Sequence, residues 1–136
     1  MYEKPFTLEI VGPERVVFSG EATSFSAPGI EGGFQVLVHH APFLSSLAVG
    51  EIKVKTMDGR DARYATSGGF VEVRGNHVVA LVEAAERADE IDVTRASASR
   101  ERAETRLRVQ PKDIDVDRAR ASLHRALNRL RIAAKT

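Results

Sequence analysis

The chain has 136 residues, with 20 Lys or Arg against 19 Asp or Glu and no cysteine. A chain of that length buries roughly two-thirds of the surface its unfolded form exposes, enough for one core and a small appendage. Near-cancelling charge argues against a general nucleic-acid binder, absent cysteine excludes disulfides and thiolate metal sites, and runs such as Val78–Val82 fall far short of the ~20 apolar residues that cross a bilayer. Met1–Phe6 carries no signal-peptide pattern, so the sequence reads as a soluble protein without a leader, and its composition fits a reducing compartment.

Up to about Ala85 the chain reads as short strands separated by turns. Phe6, Leu8 and Ile10 alternate with Thr7 and Glu9, the period-two pattern of a half-buried strand. Gly12-Pro13 ends that run. Val16 to Phe18, Ala22 to Ala27, Phe34 to Val38, Ile52 to Lys55, Ala62 to Thr66, Phe70 to Val73 and Val78 to Val82 follow as further short runs. Asp58-Gly59 predicts a hairpin turn, because glycine supplies the positive φ that a tight turn demands. So many short strands with so little helix between them predict antiparallel sheets stacked as a β-sandwich. No internal repeat stands out.

After Glu86 the spacing becomes helical. Asp92 is placed to cap a first helix, an alanine-rich and charged run that reaches about Arg108 before Gln110-Pro111-Lys112 breaks it. A second run begins with Asp113, Asp115 and Asp117 and grows basic through Arg125, Arg129 and Arg131, the charge order that a helix dipole favours. Its stripe of Val116, Ala119, Leu123, Leu127 and Leu130 is narrow and suits packing against one neighbour. Two amphipathic helices joined by a short proline turn predict an antiparallel hairpin, marginally attached. The expected fold is therefore α+β, with a β-sandwich over residues 1–86 and a two-helix hairpin over residues 87–136.

Arg125 and Arg129 stand one helical turn apart, close enough to converge on one phosphate or to repel each other. The planar guanidinium fork suits phosphate, and Arg95 on the first helix offers a third cation. Glu86 and Asp92 could accept hydrogen bonds from a base or ribose. The plainer alternative is that the arginines are solvated or pair with Asp115, Asp117 or Glu104. If Val38-His39-His40 is extended, His39 and His40 point to opposite faces, and with His77 on a separate turn they make a poor zinc site. His40, before Ala41-Pro42, reads as a structural turn residue. Ser67-Gly68-Gly69 lacks the lysine and following helix of a phosphate loop, so a tight turn or bulge explains its glycines better. No nucleophile–base pair or carboxylate dyad emerges, and the chain reads as no enzyme by itself.

The motifs Glu31-Gly32-Gly33-Phe34, His40-Ala41-Pro42, Ser67-Gly68-Gly69-Phe70-Val71-Glu72-Val73, Ala85-Glu86-Arg87-Ala88 and Ile91-Asp92-Val93-Thr94-Arg95-Ala96 occur in that order. In this order they resemble the epsilon subunit of bacterial rotary ATP synthase across essentially the whole chain. The resemblance implies a sandwich of two roughly five-stranded sheets that docks on the gamma subunit and the c-ring within the central stalk. It implies a regulatory hairpin that extends toward the alpha and beta subunits to restrain hydrolysis, and a peripheral location on the cytoplasmic face of the bacterial inner membrane. It also implies ATP as a regulatory ligand, held by residues matching Glu86, Asp92, Arg95, Ala96, Arg125 and Arg129, with no metal required. Glu31, Phe34 and His40 match the rotor-facing end. Gly33 departs from the family, which usually carries a second acid there, so the c-ring contact falls to Glu31. The competing class is a free-standing β-sandwich adaptor that binds acidic proteins or polyanions through its basic hairpin. A small metalloenzyme using His39, His40 and His77 is a third.

Overall fold

The computed structural model describes residues 4–135; Met1 to Glu3, part of the segment that carries no signal-peptide pattern, and Thr136 lie outside the described residues. The chain divides into two compact units, residues 1–87 and residues 88–136.

The described residues of the first unit form nine strands: β1 (Phe6–Val11), β2 (Val16–Gly29), β3 (Gly32–Val36), β4 (Phe43–Leu47), β5 (Gly50–Thr56), β6 (Asp61–Thr66), β7 (Gly69–Arg74), β8 (His77–Val82) and β9 (Ala85–Arg87). β2 belongs to both layers. Its first half pairs with β1, Ala22 opposite Phe6, and its second half pairs with β3 and β5, Phe25 opposite Val36 and Ser26 opposite Lys53. The register slips between Ala22 and Ser24, where one extra residue bends the strand from one layer to the other. One layer is thus β2-β1-β8-β7-β4 and the other β3-β2-β5-β6-β9, joined again where Gly29 pairs with Leu47.

Alternation decides which side chains fill the space between the layers. Phe6, Leu8 and Ile10 of β1, Val78, Ala80 and Val82 of β8, Val71 and Val73 of β7, and Ile52 and Val54 of β5 form one buried cluster with Phe25. Each large apolar side chain so buried contributes about 1.5–3 kcal/mol relative to exposure. The cluster draws on both layers, so the unit has a complete core of its own.

Three differences from the sequence reading have physical causes. Val16 to Phe18 and Ala22 to Ala27 form one fourteen-residue strand, because Gly20 stays in the ladder opposite Leu8. β4 and β9 were not expected; Phe43-Leu44-Ser45-Ser46-Leu47 lacks β-branched residues, and the three residues of β9 are strand only because the edge of β6 pairs with them. β1 and β8 run parallel, unlike every other ladder, since they meet from distant parts of the chain where no hairpin turn dictates direction. The Asp58-Gly59 turn forms as expected, with Gly59 at φ +83° and the Thr56 hydroxyl donating to Asp58. That bond and the Arg60 backbone N–H hold the Asp58 carboxyl below its ordinary pKa. Gly68 and Gly69 adopt φ +133° and +142°, and a Cβ on Gly69 would lie 2.1 Å from the Leu81 carbonyl oxygen, so in Ser67-Gly68-Gly69 the first glycine serves the turn and the second close strand approach.

The second unit opens with a single 3₁₀ turn, Ala88–Glu90, followed by α1 (Val93–Val109) and α2 (Val116–Ala134). Asp92 caps α1, its side chain accepting from the Arg95 N–H at 3.0 Å, and Asp115 caps α2 in the same way through Arg118 at 3.0 Å. Gln110 ends α1 in the left-handed region at φ 46°, and Pro111 follows. The helices pack on each other through alanines: Ala96 and Ala103 are the buried residues of α1, and Ala119 and Ala126 are buried on α2.

Two readings are corrected here. The stripe of α2 is only part of its buried surface: Ala119 is buried and Val116, Leu123 and Leu130 are half-buried, but Leu127 is 40% exposed, and Asn128 and Ile132, on the side away from the alanines, are buried as well. α2 therefore packs on two sides, and the 3₁₀ turn lies against it. The hairpin also is an internal repeat. Residues 91–109 and 114–132 agree at 12 of 19 positions, beginning Ile-Asp-Val-x-Arg-Ala in both.

The self-contained core generates a test: a chain ending at Arg87 is expected to stay soluble and unfold cooperatively, as circular dichroism during heating would record. An insoluble or molten product would show that the hairpin completes the core.

Candidate anion site on the helical hairpin

Antiparallel packing sets the first turn of α1 beside the last turns of α2, which brings Arg95 to the end of the hairpin that carries Arg125 and Arg129. Arg95 and Arg125 are exposed and Arg129 is half-buried. Arg125 and Arg129 share one face of α2, since four residues advance slightly more than one turn. Among the described residues no carboxylate pairs with the Arg95 or Arg125 guanidinium. Glu104 instead bonds Arg100 Nε at 2.6 Å and raises that guanidinium above its ordinary pKa, while Asp115 is engaged as the cap of α2. Arg95 and Arg125, with no carboxylate paired to either, repel each other until an anion joins them.

Asp92 Oδ1 accepts the Arg95 N–H, so this carboxylate fixes the turn that presents Arg95. Ala96 is fully buried in the helix seam, where its small side chain permits close approach instead of exposing a contact surface. Glu86 is half-buried on β9, opposite Ala65 of β6, and belongs to the strand unit. Sequence reading missed Asn128, which is 2% exposed and whose Oδ1 accepts from Arg131 Nη2 at 2.7 Å. A polar residue one position before Arg129 carried no signal of burial, because the stripe was placed on the opposite face.

The three rotor-facing candidates do not form one cluster. Glu31 is exposed in the turn before β3, beside Ile30, whose N–H donates to the Ser46 carbonyl. His40 lies beyond the other end of β3, its Nδ1 2.7 Å from the Ala41 carbonyl and its ring 5.7 Å from that of Phe43. Phe34 is a packing residue between them, edge-on to Phe43 at 4.9 Å and 6.4 Å from Phe25. Five strand residues span roughly 13–17 Å, so Glu31 and His40 present two separate surfaces.

The histidine segment is a turn, not a strand, with His39 at φ 59° and its N–H bonded to Asn76 Oδ1 at 2.8 Å. Among the described residues no three His, Asp or Glu side chains converge as a metal site requires. His77 lies 3.6 Å from Glu9 across the β1–β8 pair. Nor, among the described residues, is any helix long and apolar enough to cross a membrane.

Comparison with known proteins matches each unit separately. Residues 5–88 match the β-sandwich domain of the ATP synthase delta/epsilon chain, and residues 89–134 match the long α-helix domain of the same chain. The ATP synthase epsilon chain of Syntrophomonas wolfei is 45% identical over 113 residues, covering 83% of this chain and 82% of the relative. That of Pelotomaculum thermopropionicum is 49% identical, with 79% of each chain covered. The fold resembles a chain in the cryo-EM structure of Euglena gracilis mitochondrial ATP synthase, with a TM-score of 0.83 at 20% identity over 100% of this chain and 84% of that one. It also resembles a chain in the central stalk and c-ring structure of the Tetrahymena thermophila enzyme, with a TM-score of 0.63 at 15% identity over 99% and 98%. With both domains matched in order and near half of the aligned residues identical, the chain belongs to the ATP synthase delta/epsilon family.

Proposed function

We propose that the chain is the epsilon subunit of a proton-translocating ATP synthase, a non-catalytic part of the central stalk that couples c-ring rotation to the catalytic head and restrains hydrolysis through its hairpin. The observation that carries this reading is the identity of 45% and 49% to epsilon chains over about four-fifths of their length. The sandwich suits transmission of torque, because β2 runs through both layers and the core ties them together. Its partners are the gamma subunit and the c-ring, the latter through the exposed Glu31 turn, and it sits peripherally on the cytoplasmic face of the bacterial inner membrane.

The hairpin acts as the switch. Its closed form depends on a thin alanine seam, so closed and opened forms differ by a few kcal/mol and a ligand can choose between them. ATP is the ligand proposed, its phosphates bridging Arg95 of α1 to Arg125 and Arg129 of α2, with Asp92 holding the turn and Ala96 the close contact. Glu86, from β9, remains the candidate for the nucleoside. When ATP falls, repulsion between Arg95 and Arg125 favours opening, and the freed basic helix reaches toward the alpha and beta subunits.

Two outcomes are expected. In calorimetry of the isolated chain, each charge-assisted bond to phosphate contributes on the order of 1.5–3 kcal/mol, so Arg125→Ala or Arg129→Ala weakens ATP binding roughly tenfold or more. Arg120→Ala, on another face, does not; Arg131 is a poorer control because it holds Asn128. No ATP heat at millimolar concentration would end the sensing proposal and leave the rotor assignment standing. The assignment has its own test: tagged chain expressed in its native cell is expected to retain gamma and the catalytic hexamer, with c-ring retention reduced several-fold by Glu31→Lys. Purification of the chain without any of these subunits would favour the adaptor reading.

A further inference from the structure

The link between the two helices stops each of them by its own device. α1 ends at Val109, and Gln110 takes the left-handed conformation at φ 46° and ψ 66°, its N–H donating to the Arg106 carbonyl at 2.8 Å. Pro111 follows, and its carbonyl accepts the Ile114 N–H at 3.0 Å, which closes a turn over residues 111–114. Asp115 then caps α2 through the Arg118 N–H at 3.0 Å. The charges agree with the two stops. Arg106 and Arg108 stand in the last turn of α1 and Asp117 in the first turn of α2, where each opposes the partial charge of its own helix end.

We infer that residues 110–115 are a hinge that survives opening, so that the opened hairpin is two jointed helices and not one continuous rod. The inference rests on the reading of the hairpin as a switch that opens. A continuous helix from Val93 to Ala134 would need Gln110 and Pro111 inside it. Pro111 has no N–H to offer the Leu107 carbonyl, its ring would press on that carbonyl, and it disfavours helical geometry at Gln110. Proline alone disfavours the continuous form by roughly a hundredfold. Loss of the Asp115 cap and of both favourable end charges adds to that. The repeat sets a second obstacle. Ala119 follows Ala96, and Ala126 follows Ala103, by 23 residues. That spacing makes about 6.4 helical turns, so a continuous helix would point the two alanine faces roughly 140° apart. No one flat partner surface could cover both faces of such a rod, whereas jointed helices turn each face independently. The joint also leaves both helices capped, Asp92 on α1 and Asp115 on α2, so that closing only has to rejoin the seam. With 17 and 19 residues, α1 and α2 act as arms of about 25 Å and 28 Å, and α2 swings toward a partner while α1 keeps its direction.

Pulsed electron spin resonance of the full chain tests the inference, with labels at the exposed Glu101 and His124 and the seam opened by Ala103→Glu and Ala126→Glu. The labelled positions are 23 residues apart, so a continuous helix would hold them at one narrow distance of about 35 Å. A broad distribution of distances is expected instead. Pro111→Ala combined with Asp115→Ala in the opened chain should gather that distribution at the rod distance and raise the helical circular dichroism signal by about six residues. The same pair with the seam intact should add no helical signal. A narrow rod distance with Pro111 and Asp115 in place would overturn the inference, as would an opened chain whose distances and helical signal ignore their removal. Neither readout involves nucleotide, so a failed hinge leaves the ATP reading to its own calorimetric test, and a hairpin blind to ATP leaves the hinge to this one.

Discussion

The close approach of α1 and α2 through alanine is the contact on which the behaviour of the hairpin depends. Ala96, Ala103, Ala119 and Ala126 are at most 3% exposed, yet each offers only a methyl group to the seam. At about 0.8 kcal/mol for each buried methyl-sized group, the four contribute roughly 3 kcal/mol. That is the scale of one or two charge-assisted hydrogen bonds, so an anion held across both helices competes on equal terms with the seam itself. Larger side chains there would bind the helices more firmly and move the arginines farther apart.

The strand unit follows the opposite logic. Its core takes Phe6, Leu8, Ile10, Phe25, Ile52 and several valines from both layers, and β2 enters each layer in turn. Opening it would expose many large side chains at once, whereas opening the hairpin exposes four methyl groups, a few half-buried leucines and the side of α2 that holds Asn128 and Ile132. One chain thus joins a unit that resists deformation to a unit held by a thin seam, the combination that the proposed rotor subunit with a regulatory hairpin requires.

Most of the elements were legible because their signals are local. Alternation in β1, the Asp58-Gly59 turn and the Asp92 cap each depend on a few neighbouring residues. What escaped depends on partners distant in sequence. β9 is strand only beside β6, the parallel direction of β1 and β8 follows from the closing of the layer, and β2 is continuous because bulging at Ala22 lets one strand serve two sheets. The arginines were legible as a chemical type, but their lack of carboxylate partners at Arg95 and Arg125 required coordinates. The leucine stripe misled because leucine was weighted above alanine, although a seam of close-packed helices selects the smaller residue. The same weighting hid the repeat, whose identities are mainly arginine and alanine.

The most direct measure of a thin seam under ligand control is native-state hydrogen exchange of the full chain, with and without ATP. Amides of α1 and α2 are expected to exchange together as one unit, with protection well below that of β1 and β8, and to gain protection in both helices when ATP is added. Helical amides as protected as the core strands, or a gain confined to one helix, would contradict the account.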